Sequence, residues 1–224
     1  LEDKMLFQLA LAPVLMCWFY IFIRDKYEKE PIYFLIISGI YGTILTFYVL
    51  FIQKFVDENF LVNINLPDFL LTSFINSAGI EELVKFIFLY FLVWRNKNFN
   101  EPFDGIVYAV FISIGFAAVE NIIYVLNPVI GGIGTAISRG VFSVPGHGLF
   151  GVIMGFYFAE AKFYSKSNLL IKAFFMPWFI HSLYNLILLS GWKYYFIIFL
   201  PYFVWLWHFC LAKMKIHLKN SPFK

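Results

Sequence analysis

Charge is scarce in this chain. Only 14% of its 224 residues are charged, against 61% hydrophobic and 22% aromatic, where an ordinary soluble domain carries about 25% charged residues. So little polar surface cannot clothe a core in water-facing helices, and a soluble globular domain is excluded. The thirty phenylalanines are spread along the whole length, as a bilayer demands of every helix it surrounds. Cysteine is scarce too. Cys17 and Cys210 fall in apolar runs near opposite ends, which leaves no disulfide framework. Serine-nucleophile, phosphate-loop and HExxH zinc motifs are all missing, which removes the commonest hydrolase and nucleotide chemistries. No internal repeat or low-complexity linker is evident, which weighs against an inverted-repeat transporter. The net charge of +3 is small, its placement matters more than its size, and no nucleic-acid partner is expected.

What is present is a series of apolar runs, each near the length of about 20 residues that a bilayer requires. They predict an all-α polytopic membrane protein with about seven helices, at roughly 5–23, 32–52, 69–94, 104–126, 134–160, 169–190 and 193–212. Breakers and charges mark the connections: "RDKYEKEP" at 24–31, "QKFVDENFLVNINLPD" at 53–68, "RNKNFNEPF" at 95–103, "NPVIGGIGT" at 127–135 and "KFYSKSN" at 162–168. Arg24, Lys26, Lys29, Arg95, Lys97, Lys162, Lys166 and the lysines at 213, 215, 219 and 224 fall on one side. Lys4, Lys54, Lys193 and, on this reading, Arg139 fall on the other. That asymmetry predicts an external N-terminus and a cytoplasmic C-terminus. The first run is long enough to cross and lacks a small-residue cleavage motif, so it is expected to remain as a membrane helix.

Against this background the stretch "SAGIEELVKFIFLYF" at 77–91 stands out. A charge at the centre of a membrane helix costs about 2.5–3.5 kcal/mol on insertion scales, and Glu81 and Glu82 are adjacent. Lys85, four residues after Glu81 on the same helical face, can neutralise one carboxylate. A buried ion pair that only fixes helix packing would account for these three alone. The following helices add more: Glu120 and Asn121 in "GFAAVENIIY", His147 in "SVPGHGLFG", and His181 with Asn185 at i, i+4 in "PWFIHSLYN". At about 1.5 Å of rise per residue, Glu81, His147 and His181 reach a similar depth near the midplane. Glu120 lies only about 9 Å from its helix end by the same measure and is assigned to the upper wall or a supporting role. Gly146 and Gly148 would let a neighbouring helix or a peptide backbone approach His147, while "GVIMG" at 151–155 reads as helix packing.

Glutamate, histidine and asparagine enclosed together leave general-base activation of water, with or without a metal. A glutamate paired with a histidine can take a proton from water, and a second histidine with an amide can stabilise an oxyanion. The same groups could hold Zn²⁺, which lowers the pKa of bound water to about 7. Two other classes keep buried charge on facing helices and stay open here: a proton- or ion-coupled transporter, and a membrane scaffold.

Taken in order, "EELVK" at 81–85, "FDGIVYA" at 103–109, "GFAAVEN" at 115–121, "GHGLFG" at 146–151 and "HSLYN" at 181–185 closely resemble the PrsW family of intramembrane proteases. That family is grouped with type II CAAX prenyl proteases and bacteriocin-processing enzymes. The resemblance covers about residues 76–190. It implies one transmembrane protease domain over 1–224 with its motif-bearing core at about 69–190, in a bacterial cytoplasmic membrane. It also implies cleavage of a membrane-anchored substrate, typically an anti-sigma factor, outside the cytoplasm under envelope stress. Carried over by position, Glu81 and Glu82 match the paired glutamates, Lys85 the base that follows, His147 the first histidine, and His181 with Asn185 the HxxxN motif. The catalytic set is then Glu81, Glu82, His147, His181 and Asn185, supported by Lys85, Glu120 and Asn121. Within it Glu81 is the expected general base, His147 orients the water or shares its proton, and His181 with Asn185 forms the oxyanion site. A metal, if used, would be Zn²⁺ on Glu81, His147 and His181; the metal-free route is slightly preferred.

Overall fold

A computed structural model describes residues 2–164 and 168–224; of the expected 162–168 connection, residues 165–167, with Lys166 of the charge count, lie outside the described residues. The elements are helical throughout: α1 Glu2–Arg24, α2 Ile32–Asn59, α3 Asp68–Leu71, α4 Ala78–Val93, α5 Pro102–Val125, α6 Ile133–Ser138, α7 Val144–Phe163, α8 Asn168–Leu189 and α9 Phe196–Lys219. A π-helical turn, Thr72–Ser77, joins α3 to α4, and another, Arg139–Ser143, joins α6 to α7. Among the described residues, six helical runs are long and apolar enough to cross a membrane. The seventh expected run is also helical, from Asp68 through Val93, and it carries Glu81, Glu82 and Lys85.

The expected boundaries shift where polarity and helicity part company. α2 runs on past the apolar stretch to Asn59, because Lys54 and Glu58 pair at i, i+4 across an exposed turn and hydrogen-bonding a helix does not require apolar side chains. The first run likewise begins at Glu2, with acids in the first turn where the helix dipole favours them.

α5 is the axis of the bundle. Every residue from Pro102 to Ala118 is buried, and α1, α2, α4, α7 and α9 all pack on it. Two crossings demand the absence of a side chain. A Cβ on Gly115 would collide with the Gly39 carbonyl of α2, and one on Gly155 of α7 with the Gly105 carbonyl of α5. Without a hydrophobic drive in lipid, such close backbone approach is what holds membrane helices together. The start of α5 is fixed by Pro102 at its first turn and by the Asp104 carboxylate, which accepts from the backbone N–H groups of Glu101 (2.7 Å) and Asn100 (2.9 Å).

Candidate active site

α4 brings Glu81, Glu82 and Lys85 inward, and all three are buried. Lys85 is the hub. Its ammonium lies 2.9 Å from Glu82 Oε1, 3.5 Å from Glu81 Oε2 and 3.2 Å from His147 Nδ1, and 4.1 Å over the Phe116 ring. An ammonium can only donate, so His147 accepts at Nδ1 and carries its proton at Nε2, which donates to Glu120 Oε2 at 2.9 Å. Glu120 also accepts from Arg139 at 2.8 Å. Arg139 in turn donates to Asn121 Oδ1 at 3.0 Å, and Asn121 donates to the Ala10 carbonyl at 2.7 Å. One chain of polar contacts thus joins α4, α5 and α7 and is tied to α1.

The second branch runs through α8. His181 Nδ1 lies 2.9 Å from Glu82 Oε1; a carboxylate can only accept, so Nδ1 carries the proton. The ring stacks on Phe150, centroids 4.4 Å apart. Asn185 donates to Ser77 Oγ at 2.9 Å, and Ser77 donates to Glu81 Oε1 at 3.0 Å. Gln53 of α2 reaches the same oxygen at 3.4 Å. The π-turn before α4 sets this branch: it leaves the Phe74 carbonyl free to accept from Trp178 Nε1 at 2.7 Å, which pins α8 against α4 near Ser77. A side chain on Gly79 would strike that same carbonyl. π-turns of this kind are frequent at functional sites.

These groups surround a cavity of about 430 Å³. Glu81, Glu120, Arg139, His147, His181 and Asn185 line it, whereas Glu82 and Lys85 sit behind its wall. Its other walls come from the ends of α2, α5, α8 and α9 that run into the 53–68, 127–135 and 190–195 connections. One oxygen of Glu82 is buried without a hydrogen-bond partner among the described residues.

All eight singled-out residues therefore meet in one network, with some changes of rank. Glu120, assigned from helical rise to an upper wall, touches His147 directly and belongs to the centre. Arg139, counted only among the external cations although it falls within the expected 134–160 run, lies on the cavity wall in the π-turn that leads from α6 into α7. Gly146 and Gly148 do not open toward a peptide: side chains there would meet Tyr184 and Ile114 of the protein's own core. Ser77, Gln53 and Arg139 are the residues that reading the sequence passed over. Only Arg139, a cation within an apolar run, left a signal.

The donor set also fits a metal. Glu81, Glu82, His147 and His181 each offer an atom within 4.8 Å of the others, and carboxylate with imidazole is zinc chemistry. Lys85 contacts three of these four residues, so an ion there would share or displace the ammonium.

The family model for PrsW family intramembrane metalloproteases matches residues 30–206. Among curated proteins named Protease PrsW, that of Geobacillus kaustophilus is 38% identical over 210 residues, covering 92% of this chain and 89% of the relative. That of Oceanobacillus iheyensis is 36% identical over 215 residues, covering 95% of each, and that of Bacillus subtilis 35% identical over 211 residues, covering 92% of each. No solved structure matches this chain.

Proposed function

The chain belongs to the PrsW family of intramembrane proteases, and from that premise we propose that it cleaves a single-pass membrane protein on the extracytoplasmic side, within the 430 Å³ cavity, as one transmembrane domain over 1–224. Its seat is a bacterial cytoplasmic membrane, crossed about seven times with the N-terminus outside. An anti-sigma factor, cut as the first step of a regulated cascade, is the substrate class this reading names. The observation that carries the reading is the convergence of Glu81, His181 and Asn185 on one cavity wall, with a buried charge network behind them.

Glu81 is the general base. Ser77, Gln53 and Lys85 all donate to it, which holds it aimed. It takes a proton from water as the oxygen attacks the scissile carbonyl carbon, and returns that proton to the leaving nitrogen when the C–N bond breaks. The oxyanion formed between these steps is met by the second amide hydrogen of Asn185 and, when its Nε2 carries a proton, by His181. Both ring nitrogens of His147 are engaged by Lys85 and Glu120, so its role is to orient those two groups. Glu82 fixes His181 in place. Were Zn²⁺ bound, Glu81, His147 and His181 would hold it, and it would supply Lewis-acid polarisation and a more acidic water.

The test is cleavage of a panel of purified single-pass substrates by the wild type and by Glu81→Ala. A loss of about 10²-fold or more in a folded variant is expected. Undiminished cleavage by Glu81→Ala, or by His181→Ala, would remove the assignment.

A further inference from the structure

At the opposite end of α5 a second set of carboxylates crowds together. Glu28 and Glu30 of the α1–α2 connection meet Asp104 in the first turn of α5, and Asp25 accepts from the Glu30 backbone N–H. Glu28, Glu30 and Asp104 each offer a carboxylate oxygen within 4.8 Å of the other two. Glu30 is 2% exposed and Asp104 fully buried.

One oxygen of each is accounted for where the protein has a donor. The Asp104 Oδ2 atom caps α5, and the Tyr108 hydroxyl donates to Glu30 Oε2. Among the described residues the opposite oxygens, Glu30 Oε1 and Asp104 Oδ1, have no donor, and Glu28 Oε2 is likewise buried without a hydrogen-bond partner. The nearby cations are turned elsewhere. Lys29 donates to the Phe22 and Asp25 carbonyls, and Lys162 to the Phe99 carbonyl at 2.9 Å. Among the described residues no ion pair reaches any of these carboxylates.

Buried oxygens with no partner carry a desolvation cost that something must offset. Burial and the neighbouring acids push the Glu30 carboxyl up to about 10, and burial pushes that of Asp25 up to about 7. A proton shared between Glu30 and Asp104 answers two of the orphaned oxygens and leaves Glu28 unanswered. One cation answers all three.

We infer that Glu28, Glu30 and Asp104 form a site for a hard divalent cation, Mg²⁺, Ca²⁺ or Mn²⁺, bound by oxygen ligands alone. The site lies about 24 Å along α5 from Glu120 at about 1.5 Å per residue, so it acts as a staple between the α1–α2 connection and the central helix and takes no part in hydrolysis.

Terbium is the probe, because Tb³⁺ occupies hard-oxygen sites and its luminescence is sensitised by a nearby phenol, here Tyr108. Purified full-length protein should give a saturable Tb³⁺ signal that excess Ca²⁺ or Mn²⁺ displaces. Glu28→Gln, at a half-buried position that folding tolerates, and Asp104→Asn should each weaken binding by about tenfold or more. Glu81→Gln, in the catalytic cavity, should bind as the wild type does. Circular dichroism and elution volume check that each variant is folded. Absence of a saturable signal, wild-type affinity in Glu28→Gln, or loss confined to Glu81→Gln overturns the proposal. So does a thermal stability that rises on acidification and ignores all three divalent ions, which assigns the cluster to a shared proton.

Discussion

Glu120 carries two donors on one oxygen, His147 Nε2 and Arg139, so its charge organises both. Glu120→Gln keeps the shape and removes the charge, leaving a guanidinium and an imidazole facing a weaker acceptor. Cleavage measured in single turnover should fall about 10- to 100-fold, since a hydrogen bond to a charged group is worth about 1.5–3 kcal/mol; an unchanged rate would reduce Glu120 to packing. The sequence revealed which residues to suspect but not this rank. Helical rise locates a Cα and says nothing of how far an imidazole and a carboxylate reach toward each other across two helices. Ser77 was less legible still, because a lone hydroxyl in an apolar run has no signature until the π-turn sets it between Glu81 and Asn185. Lys85 sharpens the question of the metal. Its ammonium already stands among three of the four donor residues, so chelation should lower cleavage only in part. Stoichiometric metal in the active protein, with activity lost on chelation and recovered on adding zinc, would show that the ion is required.

The helices themselves were readable from apolar length, since only a helix satisfies its own backbone in lipid. Which helix lies at the centre was not. A side chain facing lipid and one facing another helix are equally apolar, so hydropathy cannot distinguish α5, buried on every side, from α1, buried on one stripe. Glycine spacing holds that information. "GVIMG" reads as packing, and Gly155 does meet the Gly105 backbone. Gly155→Val should therefore force α7 away from α5 and cost more than the about 1–3 kcal/mol of ordinary overpacking, because the obstacle is backbone. The expected readout is a lower melting temperature in detergent together with loss of cleavage, as His147 rides on α7 and Glu120 on α5. Gly134→Val, at a position with no neighbour within 4 Å, is the matched control and should melt as the wild type does.

Across the whole molecule the polar network stops short of one end. Beyond Lys85 the buried residues of α4 are Leu89 and Val93, so along α4 the network around Lys85 does not run on to the carboxylates at the end that carries Arg95 and Lys97, as a transport path through the bundle would require. The cavity lies toward the other end, against the 53–68 and 127–135 connections, and the proposed substrate enters there. It must also arrive unwound, because a helical backbone hides its carbonyls in its own hydrogen bonds. On the orientation that positive-inside counting predicts, that end lies outside the cell. Val129 stands on the 127–135 connection and is 88% exposed, whereas Cys210 is buried and Cys17 half-buried within the bundle. Val129→Cys should thus react with an impermeant thiol reagent added to intact cells, and a bulky label there should slow cleavage by crowding the entrance. Lys97→Cys, exposed at the opposite end, should react only after the membrane is opened. If the two cysteines exchange these behaviours, the orientation is reversed, and the cut falls on the cytoplasmic side of the membrane.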